Sequence, residues 1–126
     1  MILLDTNALI FWTLDLGKLT DRADEAIRQA VKISISSISL WEVGIKNNKG
    51  MLELPLPFRD YVDRLRSIDH LDILPVNDQI WVTNVDLDWE HRDPADRTIV
   101  ATAMIHNLSL ITSDSRIRAF YSDTIW

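Results

Sequence analysis

Short hydrophobic runs recur along the chain, and each is followed by a segment with more polar character. Four runs are typical of buried strands, at residues 1–4, 33–37, 71–76 and 108–112. A shorter stretch at residues 121–125 is predicted to add a last edge strand. Strands that alternate with helices favour parallel pairing through right-handed crossovers. The pattern therefore predicts an α/β fold.

Helices are predicted between these strands, because apolar residues recur there at helical spacing. An apolar stretch at residues 8–12 follows the first strand after a predicted break at Thr6 and Asn7. The predicted helices cover residues 20–31, 40–48, 58–68, 78–85, 94–107 and 114–119. No repeat, linker or low-complexity segment divides the chain, so a single domain spanning residues 1–126 is expected.

The composition is that of an ordinary globular domain, with 47% hydrophobic and 25% charged residues. The chain has no cysteine, which excludes disulfides and thiolate metal sites. No signal peptide is recognisable, and no apolar run approaches the roughly 20 residues that a transmembrane helix needs. A cytoplasmic protein without membrane association is therefore predicted.

The net charge of −6 argues against a general nucleic-acid coat protein. The affinity of such a protein comes from lysine and arginine side chains that neutralise phosphates. A nuclease remains compatible with this charge, since a bound metal masks part of it. The charge also suits a basic protein partner.

Four acidic residues stand at or near the ends of predicted strands or the beginnings of the helices that follow. They are Asp5, Glu42, Asp96 and Asp114. Ligands of an open α/β sheet gather outside the carboxyl ends of its strands, so these acids are predicted to converge. Clustered carboxylates repel one another unless a divalent cation neutralises them, and Mg²⁺ or Mn²⁺ takes oxygen ligands. The pattern favours a metal-dependent phosphodiester hydrolase.

Helix capping is the competing interpretation of these acids. Ser39 and Glu42 match a capping box, in which the glutamate returns a hydrogen bond to the serine backbone. Asp93 is placed to cap the helix that Pro94 begins, with Asp96 near its third position, where an acid favours the helix dipole. Asp114 is placed to cap the last short helix. Both roles are compatible, because helix N-termini line the same crevice.

Asp5 is harder to explain as a cap or turn residue alone. A carboxylate directly after a buried strand is costly to desolvate without a partner. Polar neighbours at the strand ends either support the ligand carboxylates or satisfy turn backbone; these are Thr6, Asn7, Thr112 and Ser113.

The basic side chains carry weaker predictions. Lys46 and Arg97 are compatible with a phosphate contact and equally with a solvated ion pair on a helix. His70, His91 and His106 lack metal-ligand spacing such as HExxH, so none is assigned a role.

Taken together, these motifs resemble the PIN domain, and more narrowly the VapC toxins of bacterial type II toxin–antitoxin pairs. The resemblance covers essentially the whole chain. The motifs that carry it are Asp5-Thr6-Asn7, Ser39-x-x-Glu42, Asp93-Pro94-Ala95-Asp96-Arg97-Thr98-Ile99-Val100-Ala101 and Thr112-Ser113-Asp114.

The resemblance implies a Rossmann-like sheet of about four or five parallel strands with helices on both faces. It also implies an Mg²⁺- or Mn²⁺-dependent ribonuclease, usually homodimeric, that a small antitoxin protein holds inactive. The family's acidic positions carry over to Asp5, Glu42, Asp96 and Asp114, which leaves Asp93 as a cap. The expected substrate is RNA.

The chemistry expected of these residues is in-line attack of water on a phosphodiester. Asp5 and Asp96 are predicted to hold one metal ion, with Asp114 bound directly or through water. Glu42 holds a second ion or orients the attacking water, and both options stay open.

Two alternatives share the same residues. One is a metal-dependent phosphatase acting on a small phosphate ester. The other is a non-catalytic protein-binding module, whose acids are caps and whose five tryptophans serve a partner surface.

Overall fold

The five strands form one parallel sheet in the order β3-β2-β1-β4-β5 in the computed structural model, which describes residues 1–126. The strands are β1 (Ile2–Leu4), β2 (Ile33–Ser36), β3 (Leu71–Leu74), β4 (Ser109–Ile111) and β5 (Thr124–Ile125). The first strand pairs with both β2 and β4, so it lies at the centre of the sheet. The predicted α/β class and parallel pairing are confirmed.

Seven α-helices connect the strands, and a single 3-10 turn at Leu16–Lys18 follows the first of them. The helices are α1 (Thr6–Leu14), α2 (Asp21–Gln29), α3 (Ser37–Asn48), α4 (Phe58–Arg66), α5 (Asp78–Asp86), α6 (Pro94–His106) and α7 (Ser115–Phe120). No helix has both the length and the apolar character that crossing a membrane requires.

The sheet buries both of its faces, as the alternating residues of β1 demonstrate. Ile2 and Leu4 belong to a core cluster beneath α1 to α4, whereas Leu3 belongs to a second cluster beneath α6 and α7. Successive side chains of a strand point to opposite faces, so a strand covered on both sides is apolar throughout. The expected helices on both faces are confirmed.

The predicted break at Thr6 and Asn7 is wrong, because both residues belong to the first turn of α1. The side chain of Asp5 caps this helix by accepting a hydrogen bond from the backbone N–H of Ala8. Helical spacing is hard to read in residues 8–12 because every one of them is at least partly buried.

The predicted capping box on α3 is also wrong. The helix begins one turn earlier, and the hydroxyl of Ser36 caps it by accepting from the backbone N–H of Ile38. Ser39 therefore lies inside the first turn, where its fully buried hydroxyl contacts Thr6 on α1. This shift places Glu42 in the body of the helix, not at its cap.

Candidate active site

The carboxyl ends of the three central strands place the predicted acids near one another. Asp5 directly follows β1, and Asp114 follows β4, the strand that neighbours β1 on one side. Glu42 lies on α3, which directly follows β2 on the other side of β1. Asp96 lies in the first turn of α6. Parallel order thus gathers residues that are far apart in sequence at one edge of the sheet.

A cavity of about 170 Å³ contains all four acids, and we call it the acidic pocket. No hydrophobic side chain lines it. Its lining residues are Asp5, Thr6, Asn7, Glu42, Lys46, Asp93, Asp96 and Asp114. The pocket therefore offers five carboxylates, a hydroxyl, an amide and one ammonium group.

Asp5 is the most deeply buried acid of the pocket, with 5% of its surface exposed. One carboxylate oxygen accepts from the backbone N–H of Ala8 at 2.8 Å, and the other accepts from the hydroxyl of Thr112. Burial raises the pKa of Asp5 to about 6, and the negative charges of Asp96 and Asp114 add to the rise. The two hydrogen bonds oppose this shift without cancelling it.

Glu42 is fixed by a chain of hydroxyl groups between α1 and α3. Thr6 donates its hydroxyl proton to the Glu42 carboxylate. Because a hydroxyl has a single proton, the 2.9 Å contact between Thr6 and Ser39 must have Ser39 as the donor. Burial raises the pKa of Glu42, while the Thr6 hydroxyl and the charge of Lys46 partly oppose the rise.

Asp96 is held by a histidine that the sequence left without a role. The distance from His91 Nε2 to Asp96 Oδ2 is 2.7 Å, and His91 Nδ1 lies 3.2 Å from Arg116 Nη1. A guanidinium only donates hydrogen bonds, so His91 Nδ1 is the acceptor. The proton of the neutral ring is then on Nε2, and this N–H donates a hydrogen bond to the Asp96 carboxylate. Burial raises the pKa of Asp96, and the bond from His91 opposes that rise.

The capping roles of Asp93 and Asp114 are confirmed. Asp93 accepts from the backbone N–H of Asp96, and Asp114 accepts from those of Arg116 and Ile117. Both aspartates also line the acidic pocket. Capping and membership of the pocket therefore coexist in the same side chains.

The donor set suits a hydrated divalent cation better than a fully ligated one. No group of three or more acidic or histidine side chains is in position to ligate one ion directly. The Asp5, Glu42, Asp96 and Asp114 carboxylates each accept a hydrogen bond from the protein. Mg²⁺ keeps several of its waters and binds through one or two carboxylates, so it fits such an oxygen-rich pocket.

Arg97 has neither of the two roles considered for it, a phosphate contact or a solvated ion pair. Its guanidinium donates four hydrogen bonds of 2.7 to 3.0 Å to backbone carbonyls. The acceptors are the carbonyl oxygens of Asn84, Leu87, Trp89 and His91. Arg97 thus shapes the segment that carries His91. The sequence indicates the hydrogen bond between His91 and Asp96 only through their separation of five residues.

The chain matches the family model described as PIN domain over residues 2–122. It is also 29% identical over 119 residues to the ribonuclease VapC22 of Mycobacterium tuberculosis. That alignment covers 94% of this chain and 90% of the relative.

Several solved structures share the fold. A toxin–antitoxin complex from Klebsiella pneumoniae has a TM-score of 0.70 at 24% identity, covering 100% of this chain and 97% of the other. VapBC2 from Rickettsia felis, bound to a promoter DNA fragment, has a TM-score of 0.70 at 18% identity, with full coverage of both chains. VapC20 of Mycobacterium tuberculosis, described as a sarcin–ricin-loop-cleaving toxin, has a TM-score of 0.64 at 19% identity and covers 94% of each chain.

Proposed function

The chain belongs to the PIN-domain family, and on that premise we propose that it is a metal-dependent endoribonuclease acting as the toxin of a toxin–antitoxin pair. RNA is the proposed substrate, and Mg²⁺ or Mn²⁺ the proposed metal. The carboxylates proposed to bind the metal and carry the reaction are Asp5, Glu42, Asp96 and Asp114.

The observation that carries the proposal is the convergence of these carboxylates in a pocket without apolar lining. Burial raises the pKa values of Asp5, Glu42 and Asp96, and the negative charges of neighbouring acids add to the rise, which makes the metal-free pocket unfavourable when all are ionised. A divalent cation relieves that repulsion. Clusters of acidic residues whose pKa values are raised in this way are typical of functional sites.

The proposed roles follow from the contacts of each residue. Thr112 and the Ala8 N–H orient the Asp5 carboxylate, and His91 orients that of Asp96. Glu42, held by Thr6, lines the pocket, where it would orient the attacking water or hold a second metal ion. A bound divalent ion supplies Lewis-acid stabilisation of the phosphodiester and lowers the pKa of water.

RNA as the substrate is supported by the ribonuclease VapC22, the relative that matches nearly the whole chain. The antitoxin partner is supported by the toxin–antitoxin complexes that share the fold.

An activity assay with matched variants tests the proposal. Asp5→Asn is expected to lose nearly all cleavage of a structured RNA, because ligand carboxylates act as a unit. Asp69→Asn is the control, since this exposed residue precedes β3 at the opposite edge of the sheet. Chelation is expected to abolish wild-type cleavage, and Mg²⁺ or Mn²⁺ to restore it.

Cleavage by purified Asp5→Asn at the wild-type rate would contradict the assignment of the site. Hydrolysis of a small phosphate monoester, with RNA left intact, would instead support the phosphatase alternative. A folded protein that binds no metal and cleaves neither substrate would support the non-catalytic alternative.

A further inference from the structure

A second cavity lies beside the acidic pocket and is not used by the chemistry described above. Its volume is about 680 Å³, which is within the range of roughly 300–1,000 Å³ typical of ligand sites. Trp89, His91, Arg92, Arg116 and Phe120 contribute to its lining, and we call it the aromatic cavity.

Stacked rings form one part of this cavity. The rings of Trp89 and Phe120 are nearly parallel, with centroids 4.6 Å apart and an interplanar angle of 9°. The His91 ring lies 4.8 Å from Trp89 at a tilt of 57°. Trp89 and Phe120 are only half-buried, so part of this aromatic surface faces the cavity. Aromatic surfaces of this kind bind unstacked nucleobases with little sequence preference.

The cavity is positively charged although the chain as a whole is acidic. The guanidinium groups of Arg92 and Arg116 outnumber the single carboxylate of Glu90 in its lining. Arginine pairs with phosphate through fixed, charge-assisted hydrogen bonds. In a chain of net charge −6, this surface is suited to an anionic ligand with an aromatic group.

His91 connects the two cavities. Its ring lines the aromatic cavity, while its Nε2 bonds to Asp96 of the acidic pocket. Arg116 is the second residue of α7 and lies two residues after Asp114, so the same short segment also contributes to both cavities. We propose that the aromatic cavity binds one nucleotide of single-stranded RNA whose adjacent phosphodiester lies in the acidic pocket, an inference that rests on the proposed function.

In this arrangement the base stacks on Trp89, and Arg116 pairs with a phosphate that flanks the cleaved one. The enzyme then requires an unpaired nucleotide next to the cleavage site, because a base inside a helix has no free face to stack. Cleavage is therefore directed to loops and single strands.

Binding of a fluorescein-labelled, random-sequence 12-nucleotide RNA in EDTA tests the site independently of cleavage. Arg116→Ala is expected to raise the dissociation constant roughly tenfold, the effect of removing a charged hydrogen bond. Arg118→Ala is the matched control, because it loses the same charge from an exposed position on α7 outside the cavity. It is expected to change the constant less than about twofold.

Trp89→Leu provides a second measurement, since it removes the stacking surface but keeps an apolar side chain against the core. A stacked base is worth a factor of about 5 to 150 in affinity. Thermal melts of both variants establish that they are folded. Equal weakening by Arg116→Ala and Arg118→Ala would overturn the nucleotide site, as would wild-type protein that binds no RNA.

Failure of this inference and failure of the proposed function give different results. If the wild type cleaves RNA but the Arg116 and Arg118 variants bind it equally, the proposed function stands without the nucleotide site. If binding depends on Arg116 and Trp89 but no metal supports cleavage, the nucleotide site stands and the proposed function fails.

Discussion

The Asp5 carboxylate accepts hydrogen bonds from Thr112 and Ala8, yet burial raises its pKa to about 6. The unfolded chain exposes this group, and its ordinary value is 3.8. Between these two values the folded protein holds a proton that the unfolded chain releases. Metal-free protein must therefore lose stability as the pH rises from about 4 to 6.

The size of this loss follows from the pKa difference. The difference between a pKa of about 6 and the ordinary value of 3.8 corresponds to about 3 kcal/mol of unfolding free energy at pH 7. In EDTA, Asp5→Asn is expected to remove most of this loss and to be more stable than the wild type at pH 7. Urea denaturation at pH 4.5 and pH 7 measures the effect.

Asp69→Asn serves as the control, because its carboxylate is exposed and lies outside the acidic pocket. Glu42 and Asp96 contribute with the same sign, so a smaller slope remains in Asp5→Asn. An Asp5→Asn protein that is less stable than the wild type at pH 7 would mean that the carboxylate stabilises the metal-free fold.

Among the elements, the segment between α5 and α6 depends most on a single side chain. It has no regular structure, and Arg97 of α6 donates to four carbonyls at the end of α5 and along the segment. A planar guanidinium presents five donors in a fixed fork, whereas an ammonium group has three and no preferred plane. The conformation that aims His91 at Asp96 therefore requires arginine.

Arg97→Lys is expected to lower the unfolding free energy by about 1–3 kcal/mol, since some of these partly buried carbonyls lose their partners. Amide hydrogen exchange at residues 87–92 is expected to become faster than in the wild type. Arg118→Lys on α7 is the control and is expected to change neither quantity, because its side chain is exposed. Unchanged exchange in Arg97→Lys would show that the segment is fixed by its other contacts.

Most strands and helices could be predicted from the sequence, whereas the starts of α1 and α3 could not. Strands and amphipathic helices were predicted because their apolar spacing is local, and their ends fall within a few residues of the prediction. The start of α3 was mistaken because serines at 36 and 39 are both competent caps, and only the position of β2 selects between them. The convergence of the four acids could be predicted because parallel strands place them at one edge of the sheet.

His91 could not be assigned, because its partner is set by the folded segment and not by spacing. The four carbonyls that Arg97 gathers are backbone groups, which leave no trace in the sequence. Two cues were present: a histidine five residues before Asp96, and a tryptophan two residues before that histidine. Neither cue is specific without the ring contacts seen in the fold.

For the whole molecule, the net charge of −6 suits a basic antitoxin, and the proposed toxin role can be tested in cells. Expression of the wild type alone is expected to arrest growth, and Asp5→Asn to relieve the arrest. Co-expression with the product of the neighbouring reading frame is expected to restore growth and to yield a stable complex. Light scattering of purified Asp5→Asn without the partner tests the predicted homodimer, since the mass of that single species gives its number of copies.

Asp69→Asn is the control and is expected to arrest growth as the wild type does. A monodisperse wild-type protein that is freely expressed, without effect on growth and without a partner, would contradict the toxin role. Cleavage of RNA by that same protein would leave the ribonuclease proposal intact.

The hydrogen bond from Thr112 to Asp5 joins residues that are 107 positions apart. During synthesis, Asp5 emerges from the ribosome long before Thr112 and Asp114 have been added to the chain. Until β4 inserts beside β1, the first carboxylate has neither its hydroxyl partner nor the last acid of the pocket. A chain that stops before β4 therefore lacks Thr112 and Asp114 and with them the complete acidic pocket.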